Sequence, residues 1–309
     1  MLHQPRHRER KTAEIRSITR LVDAERVANP DTAIRMRARR LIEDIRSLGP
    51  WDGPPFEMED LASFQSLRVE RTFDLRPTQD ACVLPGCVML NVHKPPTRQR
   101  YSLAHEIGHT LFPDYEESVR TAGRFYRQHE TTESRFERLC QIAASELLFP
   151  KEAFEQCLRD AGSGLPAAFR LAEEFAASVE AAARRVAELS PVPHLALVFR
   201  PVSGDGRWLN LDGAIGHSPH APLEVIGAAV SPRLRLKVPS RLRPANGCVA
   251  DRAWKRVSLA GKKVAIQSNG AEVWPQIDLH TPWHAEAVTL PKGNPIPREV
   301  LALLWTTVG

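Results

Sequence analysis

Arg100-Tyr101-Ser102-Leu103-Ala104-His105-Glu106-Ile107-Gly108-His109-Thr110-Leu111 is the stretch from which the rest of this chain is read. Two histidines four apart on a helix point along one face at metal-chelating distance. Glu106, between them, is placed to reach a water on that metal. In minimal form this is a hydrolytic centre: two neutral imidazoles hold Zn²⁺, a third ligand completes the protein shell, and the glutamate takes a proton from water as it attacks a carbonyl. The flanking Leu103, Ala104, Ile107 and Leu111 are uncharged, as a helix running through the interior beneath a cleft requires. Two buried histidines and a glutamate on such a helix would be costly to desolvate without a shared cation.

The spacing predicts that this helix begins near Gln99–Ser102 and stops at Phe112, because Pro113 bars its continuation. A three-histidine site would need Gly at position 112 and His at 115, where the chain has Phe112 and Tyr115, so that class is excluded. The third ligand is therefore sought on the next strong helix, expected over Thr132–Phe149. There Phe136, Leu139, Cys140, Ala143, Ala144, Leu147 and Leu148 form one apolar stripe. At 100° per residue Glu137 lies roughly 70° from the stripe's centre, whereas Glu146 lies about 110° away on the other side and is expected to face solvent. Glu133 falls near the centre but in the fraying first turn. Glu137 is the chosen ligand.

Outward from these two helices, Lys11–Leu48 reads as helical with a break near Asn29-Pro30, and a short helix runs through Met58, Leu61 and Phe64. Strands are expected over Ser66–Phe73 and Cys87–Val92. After Pro150, Lys151–Arg159 reads as a helix. Pro166–Phe175 and Val179–Leu189 read as two short helices around Ala176-Ala177-Ser178, resembling a helix-turn-helix. From Pro191 the texture changes to strands, with His194–Phe199, Leu223–Val230, Leu234–Val238 and Lys263–Gln267, and a final helix is expected over Arg298–Trp305. The division is 1–150, 151–190 and 191–309, and the fold class is α+β.

The net charge of +5 arises in the first fifty residues, which hold 12 Lys/Arg against 7 Asp/Glu. A weak contact between this basic end and DNA is compatible with that excess, but without a tighter cluster a solvated surface is the favoured reading and DNA binding is secondary. The amino end lacks the apolar core of a signal peptide, and no stretch approaches a membrane span, so a cytoplasmic protein without membrane contact is expected. The five cysteines include no C-x-x-C pair; Cys82 and Cys87 flank Leu84-Pro85-Gly86, where reduced thiols are favoured over a redox or metal pair.

The quoted stretch, preceded by a strand ending at Asn91, and the second segment from Glu137 through Ala143-Ala144-Ser145-Glu146-Leu147-Leu148-Phe149-Pro150 resemble the ImmA/IrrE family of zinc metallopeptidases. In that family the glutamate opening the second segment completes the zinc site. The resemblance thus implies His105, His109 and Glu137 as zinc ligands and Glu106 as general base. It also implies a zincin-like amino-terminal domain, a helix-turn-helix-like segment over 151–190 and, over 191–309, a β-rich domain that is either GAF-like or a scaffold that binds no small ligand. The implied activity is that of a metalloendopeptidase cleaving a helix-turn-helix transcriptional repressor. Tyr115, Tyr126 and His129 are candidates for stabilising the oxyanion. The rival expectation is a metal-dependent regulator that binds a repressor or DNA without cutting it.

Overall fold

Helix α1 (Gln4–Glu25) and α2 (Pro30–Leu48) open the chain in a computed structural model that describes residues 4–117, 135–202, 207–209, 215–217, 222–234, 236–239, 242–260, 265–267, 283–290 and 299–306. The break between them falls where Asn29 caps α2, its side chain accepting from the Asp31 N–H at 2.9 Å, with Pro30 in the first turn. Then follow α3 (Met58–Phe64), β1 (Arg68–Thr72), β2 (Ala81–Leu84), β3 (Cys87–Asn91), α4 (Pro96–Thr110) and α5 (Arg135–Leu148). Further on come α6 (Lys151–Ala161), α7 (Gly164–Glu174), α8 (Val179–Leu189), β4 (His194–Pro201), β5 (Arg207–Leu209), β6 (Ile215–His217) and β7 (Leu223–Val230). The last elements are α9 (Val249–Ala260), β8 (Ala265–Gln267), β9 (His284–Leu290) and β10 (Glu299–Trp305). The chain is thus mixed α and β. It divides into two compact units, Met1–Phe154 with Glu173–Ser178, and Glu155–Ala172 with Val179–Gly309.

In the first unit a small sheet of order β1-β3-β2 positions α4. β1 runs parallel to β3, with Thr72 opposite Asn91, and β2 runs antiparallel to β3. The strand β2, absent from the sequence expectation, is joined to β3 through Pro85-Gly86. Gly86 has φ +68°, the left-handed conformation that the third residue of a type II turn after proline needs. Asn91 is fully buried and fixes the exit from β3. Its amide donates to the carbonyls of Gln79 (2.8 Å) and Arg76 (3.2 Å), while its Oδ1 accepts from the His93 N–H. The chain then turns through Pro95-Pro96 directly into α4.

In the second unit all pairings of the five-stranded sheet β7-β4-β10-β9-β8 are antiparallel. One face, with Leu195, Leu197, Ala302 and Leu304, packs on α9 through Val249, Ala250, Ala253 and Trp254. The other face, with Ala196, Val198, Leu301 and Leu303, is covered by Leu165 and Ala168 of α7 and by Ala183 and Ala187 of α8. Two expectations are corrected here. The carboxy-terminal segment expected as a helix is the strand β10, because Glu-Val-Leu-Ala-Leu-Leu-Trp lies between β4 and β9, buried on both faces, and so shows no alternation. The described residues of Leu234–Val238 form no strand, and Pro239, which has no N–H to give to a ladder, closes the segment.

No helix among the described residues is long and apolar enough to cross a membrane. None of the five cysteines is in a disulfide.

Candidate metal centre

Helix α4 starts at Pro96, earlier than the spacing predicts, because proline suits the first turn, where no N–H bond is lost. It buries Leu103, Ala104, Ile107 and Gly108 in the core together with Glu106 and His109, while His105 keeps 15% of its side chain exposed. The imidazoles of His105 and His109 lie 5.1 Å apart, their planes at 84°. They are neighbours on one helix face, as their spacing of four requires.

Glu137 sits in the first described turn of α5 and is 7% exposed. Its Oε2 lies 3.1 Å from His105 Nε2 and 3.8 Å from His109 Nε2. One donor atom from each of the three residues falls within 4.8 Å of the others. Tetrahedral zinc with bonds of about 2.0–2.1 Å sets its ligand atoms roughly 3.3 Å apart. The carboxylate oxygen stands near that separation from each imidazole, at 3.1 and 3.8 Å, and two imidazoles with one carboxylate form the donor set of a catalytic zinc site that leaves a fourth position open. The residues fit the metal.

The sequence explains why α5 can come so near. Gly108 has no side chain on the face toward α5, and a Cβ there would lie 3.0 Å from the Cys140 carbonyl oxygen and 3.2 Å from the Ala143 Cβ. Phe136 stacks against Phe112 at 4.3 Å and lies 5.4 Å from the His109 ring, closing the apolar side of the site. On the His105 side the Tyr101 ring stacks at 6.3 Å, with the Arg98 guanidinium over that ring at 5.4 Å from its centre. The Cys140 sulfur approaches His109 Nδ1 at 3.5 Å. Burial, and then the nearby Glu137 charge, pushes the Cys140 thiol well above its ordinary range.

Glu146, expected at the surface, is fully buried, which corrects that expectation. Its carboxylate is held by Arg35 and by Arg39, the latter at 3.3 Å, both from α2. The helical wheel assumed one packed side, whereas α5 is covered by α4 on one flank and by α2 on another. A second carboxylate, Glu25, is tied to α2 in the same way. Burial alone would raise it, but bonds from Arg40 (3.0 Å) and Arg37 (2.8 Å) outweigh that and hold it below the usual range.

Of the oxyanion candidates, Tyr115 is described. Its hydroxyl is shut from solvent with no hydrogen-bond partner among the described residues, and burial followed by the Glu106 charge pushes it up to about 12. It is a neutral donor at any physiological pH. Tyr126, His129 and Glu133 lie outside the described residues. Two residues that shape the centre were not singled out from sequence, Gly108 and Cys140. The second carried a signal: it follows Glu137 by three positions and so shares its face of α5.

Residues 64–187 match peptidase family M78, described as the IrrE N-terminal-like domain. The radiation response metalloprotease IrrE of Deinococcus radiodurans is 31% identical over 114 residues, which are 37% of this chain and 34% of that protein. The match thus spans about a third of the relative's length. A solved Mycobacterium tuberculosis transcriptional regulator superposes with a TM-score of 0.56 at 11% identity, covering 94% of this chain and 80% of that one. At such identity the likeness is one of fold.

Proposed function

From a chain that carries an IrrE N-terminal-like domain and with it belongs to the ImmA/IrrE metallopeptidases, we propose a zinc-dependent metalloendopeptidase that cleaves a helix-turn-helix transcriptional repressor. One observation carries the catalytic part: His105, His109 and Glu137 converge from two helices with the buried Glu106 between the histidines. A purely structural metal site gains nothing from a carboxylate there. A zinc ion held by these three residues would supply Lewis acidity to a water and to the scissile carbonyl. Glu106 accepts the water's proton as it attacks, and then delivers it to the departing amine. Tyr115, neutral and with its donor unspent, is the described candidate for the oxyanion.

The repressor as substrate and a regulatory task in stress response rest on family resemblance. So do the helix-turn-helix-like role of 151–190 and the GAF-like assignment of 191–309, the latter in accord with an antiparallel sheet carrying helices on both faces. Direct DNA contact through the basic amino end gains no support. Arg20, Arg35, Arg37, Arg39 and Arg40 are all engaged by carboxylates.

The test pairs the chain with a candidate substrate, a small helix-turn-helix repressor, which a neighbouring gene of that kind would supply. Wild type should cut the repressor, and Glu106→Gln should keep about one zinc per chain while cutting nothing. Retained cleavage in the variant refutes the general-base role. If wild type cuts no repressor yet releases it from its operator, the non-proteolytic regulator is the correct reading.

A further inference from the structure

We propose that Cys140 is a positioning residue for His109, its sulfur taking the Nδ1–H so that the Nε2 lone pair is held toward the metal position. The inference rests on the zinc-site reading above and goes beyond its ligand set. It starts from which ring nitrogens face the third ligand. In both histidines it is Nε2 that approaches Glu137 Oε2, at 3.1 Å and 3.8 Å. A neutral imidazole carries one N–H, and the nitrogen that ligates must be the other one. His109 therefore has to carry its proton on Nδ1.

That N–H cannot be left to solvent, because His109 is wholly buried. It meets the Cys140 sulfur at 3.5 Å, also wholly buried, a separation proper to a hydrogen bond to sulfur. The imidazole ring stands between the sulfur and Nε2, so the thiol acts on the metal position through the ring and not as a ligand. Metal-bound histidines ordinarily donate to a carboxylate or a carbonyl, which fixes the tautomer and makes the ring a stronger base. Sulfur is a weaker acceptor. It fixes tautomer and orientation while adding little negative charge.

The placement also couples two ligands through one element. Glu137 and Cys140 are one turn apart on α5, so the helix that presents the carboxylate also orients the imidazole opposite. Gly108 lets α5 approach closely enough for both contacts, since its missing side chain faces the Cys140 backbone. A shift of α5 would loosen both together.

The experiment measures zinc affinity of the full chain by competition with a chromophoric chelator, for wild type, Cys140→Ala, Cys140→Val and Cys140→Ser. Thermal unfolding of each zinc-free form runs alongside. Valine fills the space of cysteine without an acceptor, so it separates the hydrogen bond from packing. Alanine and valine should each weaken zinc about tenfold, and serine, which restores an acceptor, should stay within about threefold of wild type. The zinc-free Val form should unfold near wild type, and cobalt in the wild-type site should show a tetrahedral spectrum with no sulfur-to-cobalt charge-transfer band. Valine binding zinc within twofold of wild type overturns the proposal alone. Such a band in wild type also overturns it, by making Cys140 a ligand. A wild type that binds no zinc, or binds it equally well after Glu137→Ala, removes the site reading itself.

Discussion

Gly108→Ala is the smallest change that should disturb the metal centre without touching a ligand. A Cβ at 108 would stand 3.0 Å from the Cys140 carbonyl oxygen, 3.2 Å from the Ala143 Cβ and 3.4 Å from the Cys140 Cα. Carbon contacts are comfortable at about 3.5–4.0 Å, so α4 and α5 must part by roughly half an ångström. Overpacking of this kind costs about 1–3 kcal/mol. Alanine returns about 1 kcal/mol by its better helix propensity. The net destabilisation of the zinc-free protein is thus only about 0–2 kcal/mol, a melting shift of roughly 2–4 °C for each kcal/mol. The metal site should suffer more than the fold does. Glu137 rides on α5, and a retreat of half an ångström takes its carboxylate beyond the spacing that zinc accepts from two imidazoles. A tenfold weaker zinc affinity, about 1.4 kcal/mol, is expected. Chelator competition and thermal unfolding of the zinc-free form measure the two effects separately. A variant that melts higher than wild type and binds zinc equally well would refute the reasoning, because it would mean that close approach at Gly108 does not set the position of Glu137.

Two further perturbations test the scaffold. Glu146→Gln takes the charge from a wholly buried carboxylate that holds Arg35 and Arg39. Losing one partner of a buried pair costs about 3–5 kcal/mol, reduced to about 2–3 kcal/mol because both guanidiniums keep some solvent; urea unfolding showing less than 0.5 kcal/mol would contradict this. His194 in the second unit is buried with Nδ1 donating to the Val192 carbonyl at 2.7 Å, and burial lowers its pKa from the ordinary 6.5. Its neutral form is favoured by folding, so the unit should lose stability as pH falls below about 6.5 toward the lower folded value. His194→Asn keeps a donor for that carbonyl and should flatten the slope relative to wild type. Glu286, raised by burial in the same unit, acts in the opposite sense, which is why the difference between variant and wild type is the quantity to measure.

The centre was legible from sequence to the extent that it is built from periodicity. His105 and His109 share a face because a helix repeats every 3.6 residues, and Glu137 lies at the border of an apolar stripe that any amphipathic packing would bury. Glu146 was not legible by the same arithmetic. Its 110° displacement predicts solvent only for a helix packed on one side, and nothing local announces that α2 will cover the other flank with two arginines. The strand β10 was misread for a related reason. Seven residues buried on both faces carry no alternation, and only their short length distinguishes them from a buried helix. Helix α9 did carry its period, with Val249, Ala250, Ala253 and Trp254 on one face, but it was hidden by the strand-like composition around it.

For Glu146 and for Cys140 the deciding partner came from far along the chain: 111 residues for Arg35 and Glu146, 31 for Cys140 and His109. The same distance explains why the three proposed ligands alone are an incomplete account of the site. His105 and His109 are fixed to each other by one helix, but their relation to Glu137 depends on the distance between α4 and α5, on the missing side chain of Gly108, and on the grip of α2 upon Glu146. The Glu146 pairs hold α5 from behind, while Gly108 sets how near it comes in front. If this is right, zinc affinity should fall in Glu146→Gln as well as in Gly108→Ala, although Glu146 faces away from the metal position. Zinc affinity unchanged by Glu146→Gln, alongside a clear loss of stability, would show that α4 and the apolar stripe alone locate α5.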